Sequence, residues 1–437
     1  MNSRPSVISS RRASSLLLCL AAIGACDGAP RRGERANVIL IVIDGLRADH
    51  LTPFGYSRDT SPFLDEMAAS GVLFENTISQ SSGTKTSVAS LLTSLYPEAH
   101  GVRGVKDVLP DSIRLLPEVL RDHGYRTFAI HGNPWLEERF GFNQGFDEFR
   151  FTHWYKDTFD AQMVNEQALQ WVDEKQTPPF FLYLHYMDVH SPWKPPGDFD
   201  RFGPEAVDQY DGSILYLDSR LKALYGELTK RGLDENTWII VTADHGEEFG
   251  EHGNYKVGHG LTLYREVLRV PLIFHHGHHG HHGQAPAGKR VSRQVRLIDV
   301  APTILELVGI PIPEHLEGVS LRANVVDADE ISGEDLEAFS QVGRNGVALD
   351  RDLIAVTTRE FKYILDFESG TEELYDLTAD LGETRNVAGV NPALTKEFKE
   401  KALRFRRIET AKRIDVAPGA EIDEELRKQL RALGYLN

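Results

Sequence analysis

Short apolar runs that stop abruptly at polar residues recur along the chain, each followed by a stretch with helical spacing. Val38 to Ile43 end at Asp44, Thr127 to Ile130 at His131-Gly132-Asn133, and Phe180 to Leu184 at His185, with Asp188 and His190 just beyond. Trp238 to Val241 end at Asp244-His245, and Val270 to Phe274 run into a glycine-histidine loop. Continuous Val, Ile, Leu and Phe without alternation predict strands buried on both faces. That implies an α/β fold with a large, mostly parallel central sheet flanked by helices. In such sheets ligands bind outside the carboxyl ends of the strands, so the polar residues at the run ends converge on one candidate site. Beyond Val319 the pattern changes. Phe361 to Phe367 and Glu373 to Leu377 read as two strands joined by a turn containing Ser369-Gly370, and a closing helix is expected over Ile422 to Leu433. A catalytic domain over 37–320 and a smaller C-terminal α+β subdomain over 321–437 follow.

The first residues read differently. Arg4, Arg11 and Arg12 precede an apolar run from Ala13 to Ile23, and Gly24 and Ala25 precede Cys26. This is the outline of a signal peptide over 1–25, too short for a stable membrane span. Ile23-Gly24-Ala25-Cys26 also resembles a bacterial lipobox, in which Cys26 becomes the lipidated first residue and 26–36 serve as a tether. The expectation is a lipoprotein of the bacterial cell envelope, periplasmic or at the surface, held to the membrane by its N-terminal lipid alone. The other cysteine, Cys19, lies in the segment to be removed, so no disulfide is expected in the mature body.

Composition narrows the partners. At 437 residues and 41% hydrophobic content the chain can bury a large core. A net charge of −17 argues against a nucleic-acid partner, because phosphate backbones need a basic surface. The tract His275-His276-Gly277-His278-His279-Gly280-His281-His282 is low in complexity and reads as a surface loop without a catalytic role.

Asp44 at one strand end and Asp244-His245 at another could hold a divalent cation in an oxygen-rich site. Thr84 opens the helical stretch Lys85 to Leu95 and is expected at its N-cap. A helix N-terminus favours an anion, and a cation held by Asp44, Asp244 and His245 would let the Thr84 hydroxyl ionise and act as a nucleophile.

Several ordered blocks give a family resemblance. They are Asn37 to Asp49 (NVILIVIDGLRAD), Thr84 to Gly101 (TKTSVASLLTSLYPEAHG), Thr242 to Gly253 (TADHGEEFGEHG) and His259 to Pro271 (HGLTLYREVLRVP). Asp299 to Gly309 (DVAPTILELVG), Glu373 to Asn386 (ELYDLTADLGETRN) and Arg431 to Leu436 (RALGYL) continue the series. From about residue 36 onward the chain resembles the sulfatase branch of the alkaline phosphatase superfamily. The resemblance implies that Asp44, Asp244 and His245 are metal ligands and that Thr84 is both ligand and nucleophile. It places His190 at the ester or its leaving group and His259 at the transferred group or a second metal. Lys85, Asn133 and His185 become candidates for holding substrate. The metal could be Ca, Mg, Mn or Zn. A second one would draw on Asp188 and His259, with His185 or His190.

The chain also departs from the family. Sulfatases carry a cysteine or serine oxidised to formylglycine, followed by proline and arginine, where this chain has Thr84, Thr86 and Val88. Oxidising threonine at its β-carbon gives a ketone, so formylglycine cannot form. A second metal-binding aspartate is replaced by Gly45, and a lysine and histidine by residues around Asn133-Pro134-Trp135. Formylglycine hydrate sheds sulfate by collapsing to an aldehyde, an exit closed to a sulfated threonine. A phosphorylated threonine can be attacked in line by water. The chemistry therefore leans towards phosphodiesters or phosphonates, within a sequence that resembles sulfatases. The expected substrate is a small-molecule, glycan or lipid ester. Two other readings stand beside this hydrolase: an envelope phosphoethanolamine or phosphoglycerol transferase, and a non-catalytic binding lipoprotein on the same fold.

Overall fold

The computed structural model describes residues 35–152, 161–175, 179–253, 257–277, 286–327, 333–343, 351–413, 417–433 and Tyr435. The leader, Cys26 and most of the histidine tract lie outside these residues. The main sheet contains β1 (Asn37–Ile43), β2 (Val72–Ile78), β3 (Arg126–His131), β4 (Glu148–Phe151), β5 (Phe180–Tyr186), β6 (Thr237–Ala243), β7 (Arg269–His276) and β8 (Lys289–Arg296). Their order is β4-β3-β5-β1-β6-β7-β2-β8. The three central strands β5, β1 and β6 are buried along their whole length, which is why their sequences show no alternation.

Helices α1 (Pro62–Ser70), α2 (Thr84–Thr93), α3 (Ala161–Lys175), α4 (Ala206–Lys230) and α5 (Val300–Leu307) cover the sheet, with α1 and α3 packed on α4 and α2 packed on α5. No helix among the described residues is long and apolar enough to cross a membrane.

The strands β4, β3, β5, β1 and β6 are mutually parallel, with Ile43 paired to both Tyr186 and Ala243 and His131 to His185. Their carboxyl ends therefore meet at one edge. The run ending in the histidine tract departs from that expectation. β7 is antiparallel to both β6 and β2, so its carboxyl end points to the opposite edge, and His275 and His276 lie away from the other run ends.

A second, antiparallel sheet has the order β12-β11-β10-β9, formed by β9 (Ala338–Val342), β10 (Leu353–Thr357), β11 (Phe361–Asp366) and β12 (Glu372–Asp376). The helix α6 (Pro392–Lys412) packs on β10 and β11, and α7 (Glu424–Ala432) closes the described chain. The small sheet braces the loop before α2. Gln341 N donates to Gln80 O at 2.8 Å and Ser340 Oγ to Ser79 O at 2.5 Å. Arg103 and Arg406 each pair with both Glu98 and Asp352 across this junction.

Candidate active site

Asp44 follows the last residue of β1, and its amide donates to Tyr186 O at 3.0 Å. Gly45 turns the chain away in the left-handed region at φ +72°. Its amide donates to Asp244 Oδ1 at 3.3 Å, and the His245 amide donates to the same oxygen at 2.9 Å. The hydroxyls of Ser79 and Ser87 both donate to Asp244 O at 2.6 Å, tying the start of α2 to the end of β6. Asp44, Asp244 and His245 are fully buried, and their ligand atoms lie within 4.8 Å of one another.

The donor set suits a hard divalent cation. Asp44 Oδ1 and Asp244 Oδ2 are buried without a hydrogen-bond partner, an expensive arrangement unless a cation meets them. His245 Nδ1 donates to Gly246 O at 2.8 Å, which fixes the tautomer and leaves the Nε2 lone pair 3.5 Å from Asp244 Oδ2 and 3.6 Å from Asp44 Oδ1. Among the described residues, Asp44, Asp244 and His245 are the group able to hold a metal. Asp188 instead accepts the Ala161 amide at 2.9 Å, and the set expected for a second metal does not gather.

Thr84 is the first residue of α2, with Gly83 at the N-cap. Thr84 is thus one position inside the expected cap, and its hydroxyl caps nothing. Thr84 Oγ1 lies 3.4 Å from Asp44 Oδ2 and 3.1 Å from His245 Nε2, the same nitrogen that faces the two unpartnered carboxylate oxygens. Burial works against ionising Asp44, but the imidazoles of His190, His185 and His245 outweigh it and hold the carboxyl well below its usual range. Burial and then the Asp44 charge hold Asp244 well above it.

The other predicted residues divide. Asn133 Oδ1 accepts the Trp135 amide at 2.9 Å, so Nδ2 faces Asp44 Oδ2 at 2.7 Å and Thr84 Oγ1 at 3.5 Å. Tyr183 hydrogen-bonds His185 Nδ1 at 3.0 Å, and His185 Nε2 bonds Asp44 Oδ2 at 3.1 Å, so His185 orients the carboxylate. His190 Nδ1 bonds its neighbour Ser191 O, and Nε2 is buried without a partner. His259 stacks on His245 with ring centroids 4.3 Å apart and bonds Glu247 Oε1 through Nδ1 at 3.0 Å. Burial lowers the affinity of both His190 and His259 for a proton. Lys85 is not brought to this point. Its Nζ donates to Val105 O at 2.6 Å and Asp107 O at 2.8 Å and sits 4.0 Å from the Phe140 ring centroid.

Sequence reading missed two groups here. Glu247, inside the block Thr242 to Gly253, is buried against His259, and burial pushes its carboxyl up to about 7. Tyr435 comes from the closing segment, and its hydroxyl lies 3.3 Å from Thr84 Oγ1. The only signal for Tyr435 was its place in the block Arg431 to Leu436.

Comparison with known proteins gives the family and the fold. The sulfatase family model matches residues 36–310, and the model of the C-terminal region of N-sulphoglucosamine sulphohydrolase matches residues 250–407. The chain is 28% identical over 325 residues to a low-salt glycan biosynthesis sulfotransferase of Haloferax volcanii, covering 70% of this chain and 69% of that protein. It is 22% identical to an arylsulfatase of Clostridium perfringens, covering 86% and 93%. The phosphonate monoester hydrolase of Agrobacterium radiobacter superposes with a TM-score of 0.73 at 20% identity, covering 86% of this chain and 96% of that one. Matched over more than half its length and sharing the fold, the chain belongs to the sulfatase family and is an ester hydrolase of that family.

Proposed function

We propose that this protein is a metal-dependent hydrolase that transfers a phosphoryl or phosphonyl group from an ester to Thr84 and then to water. The observation that carries this reading is the position of Thr84 Oγ1, in contact with His245 Nε2 and Asp44 Oδ2 beside two buried, unpartnered carboxylate oxygens. A divalent cation bound by Asp44, Asp244, His245 and Thr84 would favour the ionised hydroxyl and offset charge on the transferred group. Thr84 Oγ1, its proton lost to solvent, attacks phosphorus in line, and the bond to the leaving oxygen breaks as the new one forms. Nδ1 of His190 keeps its proton on Ser191 O. The proton passed to that departing oxygen is therefore a second one, taken from solvent onto Nε2 as the anionic substrate offsets the cost of charging the buried ring. Water then attacks the phosphothreonine, returns a proton to His190 and frees Thr84. A sulfated Thr84 has no comparable exit, so aryl sulfates stall.

The test is a panel of aryl phosphodiester, phosphonate, phosphomonoester and sulfate substrates with Ca, Mg, Mn and Zn, run on wild type, Thr84→Ala and Thr84→Ser. Repeated turnover of diesters or phosphonates is expected, with phosphothreonine at residue 84 trapped at low pH and read by mass spectrometry. Thr84→Ala should lose several orders of magnitude, while Thr84→Ser keeps appreciable activity. Rapid aryl sulfate turnover that survives Thr84→Ala would sink the assignment.

The leader supports a second, separate part of the reading, namely that Cys26 carries the lipid and holds the enzyme in the cell envelope. Cys26→Ser should release active protein from membranes. A wild-type protein already fully soluble would leave only the signal peptide standing.

A further inference from the structure

The site at Thr84 must neutralise the peripheral oxygens of whatever group the threonine takes up. Two basic side chains on its own loops, Lys85 and Arg47, are committed elsewhere. Lys85 donates to the Val105 and Asp107 carbonyls, and Arg47 is held by Asp49, Glu251 and Glu247 O. Besides Asp44, His245 and Asn133, a phenol from the far end of the sequence reaches Thr84.

Tyr435 is delivered by a docked element. In α7, Leu426 and Leu430 are buried in the main core, and the Tyr435 amide donates to Leu430 O at 2.9 Å. Arg139 pairs with Asp423 at the start of that helix at 2.7 Å. The tyrosine ring stands among Trp135, His190 and His259, at centroid distances of 5.8, 5.1 and 5.7 Å. Its hydrogen-bond direction is set by neighbours. The Trp135 amide fixes the Asn133 side chain, and Asn133 Nδ2 donates to the phenolic oxygen at 3.1 Å. The phenol's own proton is then left for Thr84 Oγ1 at 3.3 Å. Thr84 is 2% exposed beneath this cover.

We propose that Tyr435 is a substrate-contacting residue whose hydroxyl donates to Thr84 Oγ1 before reaction and to a peripheral oxygen of the transferred group during it. The inference rests on Thr84 as nucleophile. Any tetrahedral group joined to Oγ1 places its oxygens beside that atom, in the space the phenolic oxygen borders. The hydrogen bond passes from threonine to the group as it arrives, while Asn133 keeps the phenol aimed. A neutral donor paired with an amide suits a singly charged group, a diester, phosphonate monoester or sulfate monoester, better than a doubly charged phosphate monoester.

Tyr435→Phe keeps the ring and removes only the hydroxyl. With Mn present, kcat/KM for an aryl phosphonate should fall about 100-fold, in line with the loss of one oxyanion donor. The thermal midpoint should stay at the wild-type value, and calorimetry should show about tenfold weaker binding of inorganic phosphate. Wild-type kcat/KM together with unchanged phosphate binding in Tyr435→Phe would overturn the proposal, as would a Tyr435→Ala enzyme faster than wild type. Thr84→Ala measured alongside separates the two readings. If Thr84→Ala remains active while Tyr435→Phe falls, the nucleophile is wrong and the phenol contact stands. If Thr84→Ala is dead and Tyr435→Phe is normal, the phenol proposal alone falls.

Discussion

Replacing Asp244 by asparagine exchanges a buried carboxylate for an amide of the same shape, and the consequence should reverse sign with metal. Without a cation, Asp44 and Asp244 sit with ligand atoms within 4.8 Å and one unpartnered oxygen each. Two full charges at that separation repel by about 3.5 kcal/mol at an effective dielectric of about 20. Part of this is relieved because burial and the Asp44 charge push the Asp244 carboxyl towards its protonated form. The asparagine keeps Oδ1 for the Gly45 and His245 amides and turns an N–H towards His245 Nε2, 3.5 Å from the present Oδ2. A stabilisation of about 1–3 kcal/mol in chelator follows. Wild type should instead gain about 4 kcal/mol at a metal concentration a thousandfold above Kd. An unfolding entropy of about 2.1 cal/mol/K per residue makes 1 kcal/mol worth about 1 °C for this chain. Differential scanning calorimetry in EDTA should thus place Asp244→Asn about 1–3 °C above wild type. Saturating Mn or Ca should raise wild type by about 4 °C and the variant by less than about 1 °C. A variant that is less stable than wild type in EDTA, or that gains the full metal increment, refutes the site.

Three further outcomes follow from the same geometry. His190→Ala should slow esters of poorly acidic alcohols by about 10²–10⁴ yet barely slow 4-nitrophenyl esters, whose leaving group needs no proton; equal losses on both would remove His190 from the leaving-group side. Lys362→Met leaves Glu383 without the buried partner it holds at 3.0 Å and should cost about 3–5 kcal/mol in denaturant unfolding, whereas a loss below about 1 kcal/mol would show the pair to be dispensable. Glycerol added to the phosphonate assay should leave released phosphonate as the main product, and dominant glyceryl ester would favour the transferase.

The strands were legible in the sequence because β1, β5 and β6 are buried on both faces, and burial of that kind writes continuous apolar runs. The candidate metal ligands were legible for a related reason. Asp44 and Asp244 each follow a run directly, and parallel pairing of adjacent strands brings run ends together. The sequence also carried the family blocks and the substitution at Thr84. Strand direction was not local information. An apolar run reads the same whichever way it enters the sheet, and only the antiparallel pairing of β7 puts its histidines at the other edge. Side-chain direction was likewise hidden. Thr84 and Lys85 are neighbours, yet helical geometry turns one hydroxyl to the carboxylates and the other side chain to the 105–107 loop. Tyr435 needed the whole fold, since it meets Thr84 across 351 positions of sequence. Only the docking of α7 through Leu426 and Leu430 brings it there, because a contact between distant residues is set by packing and leaves no periodic trace in either segment.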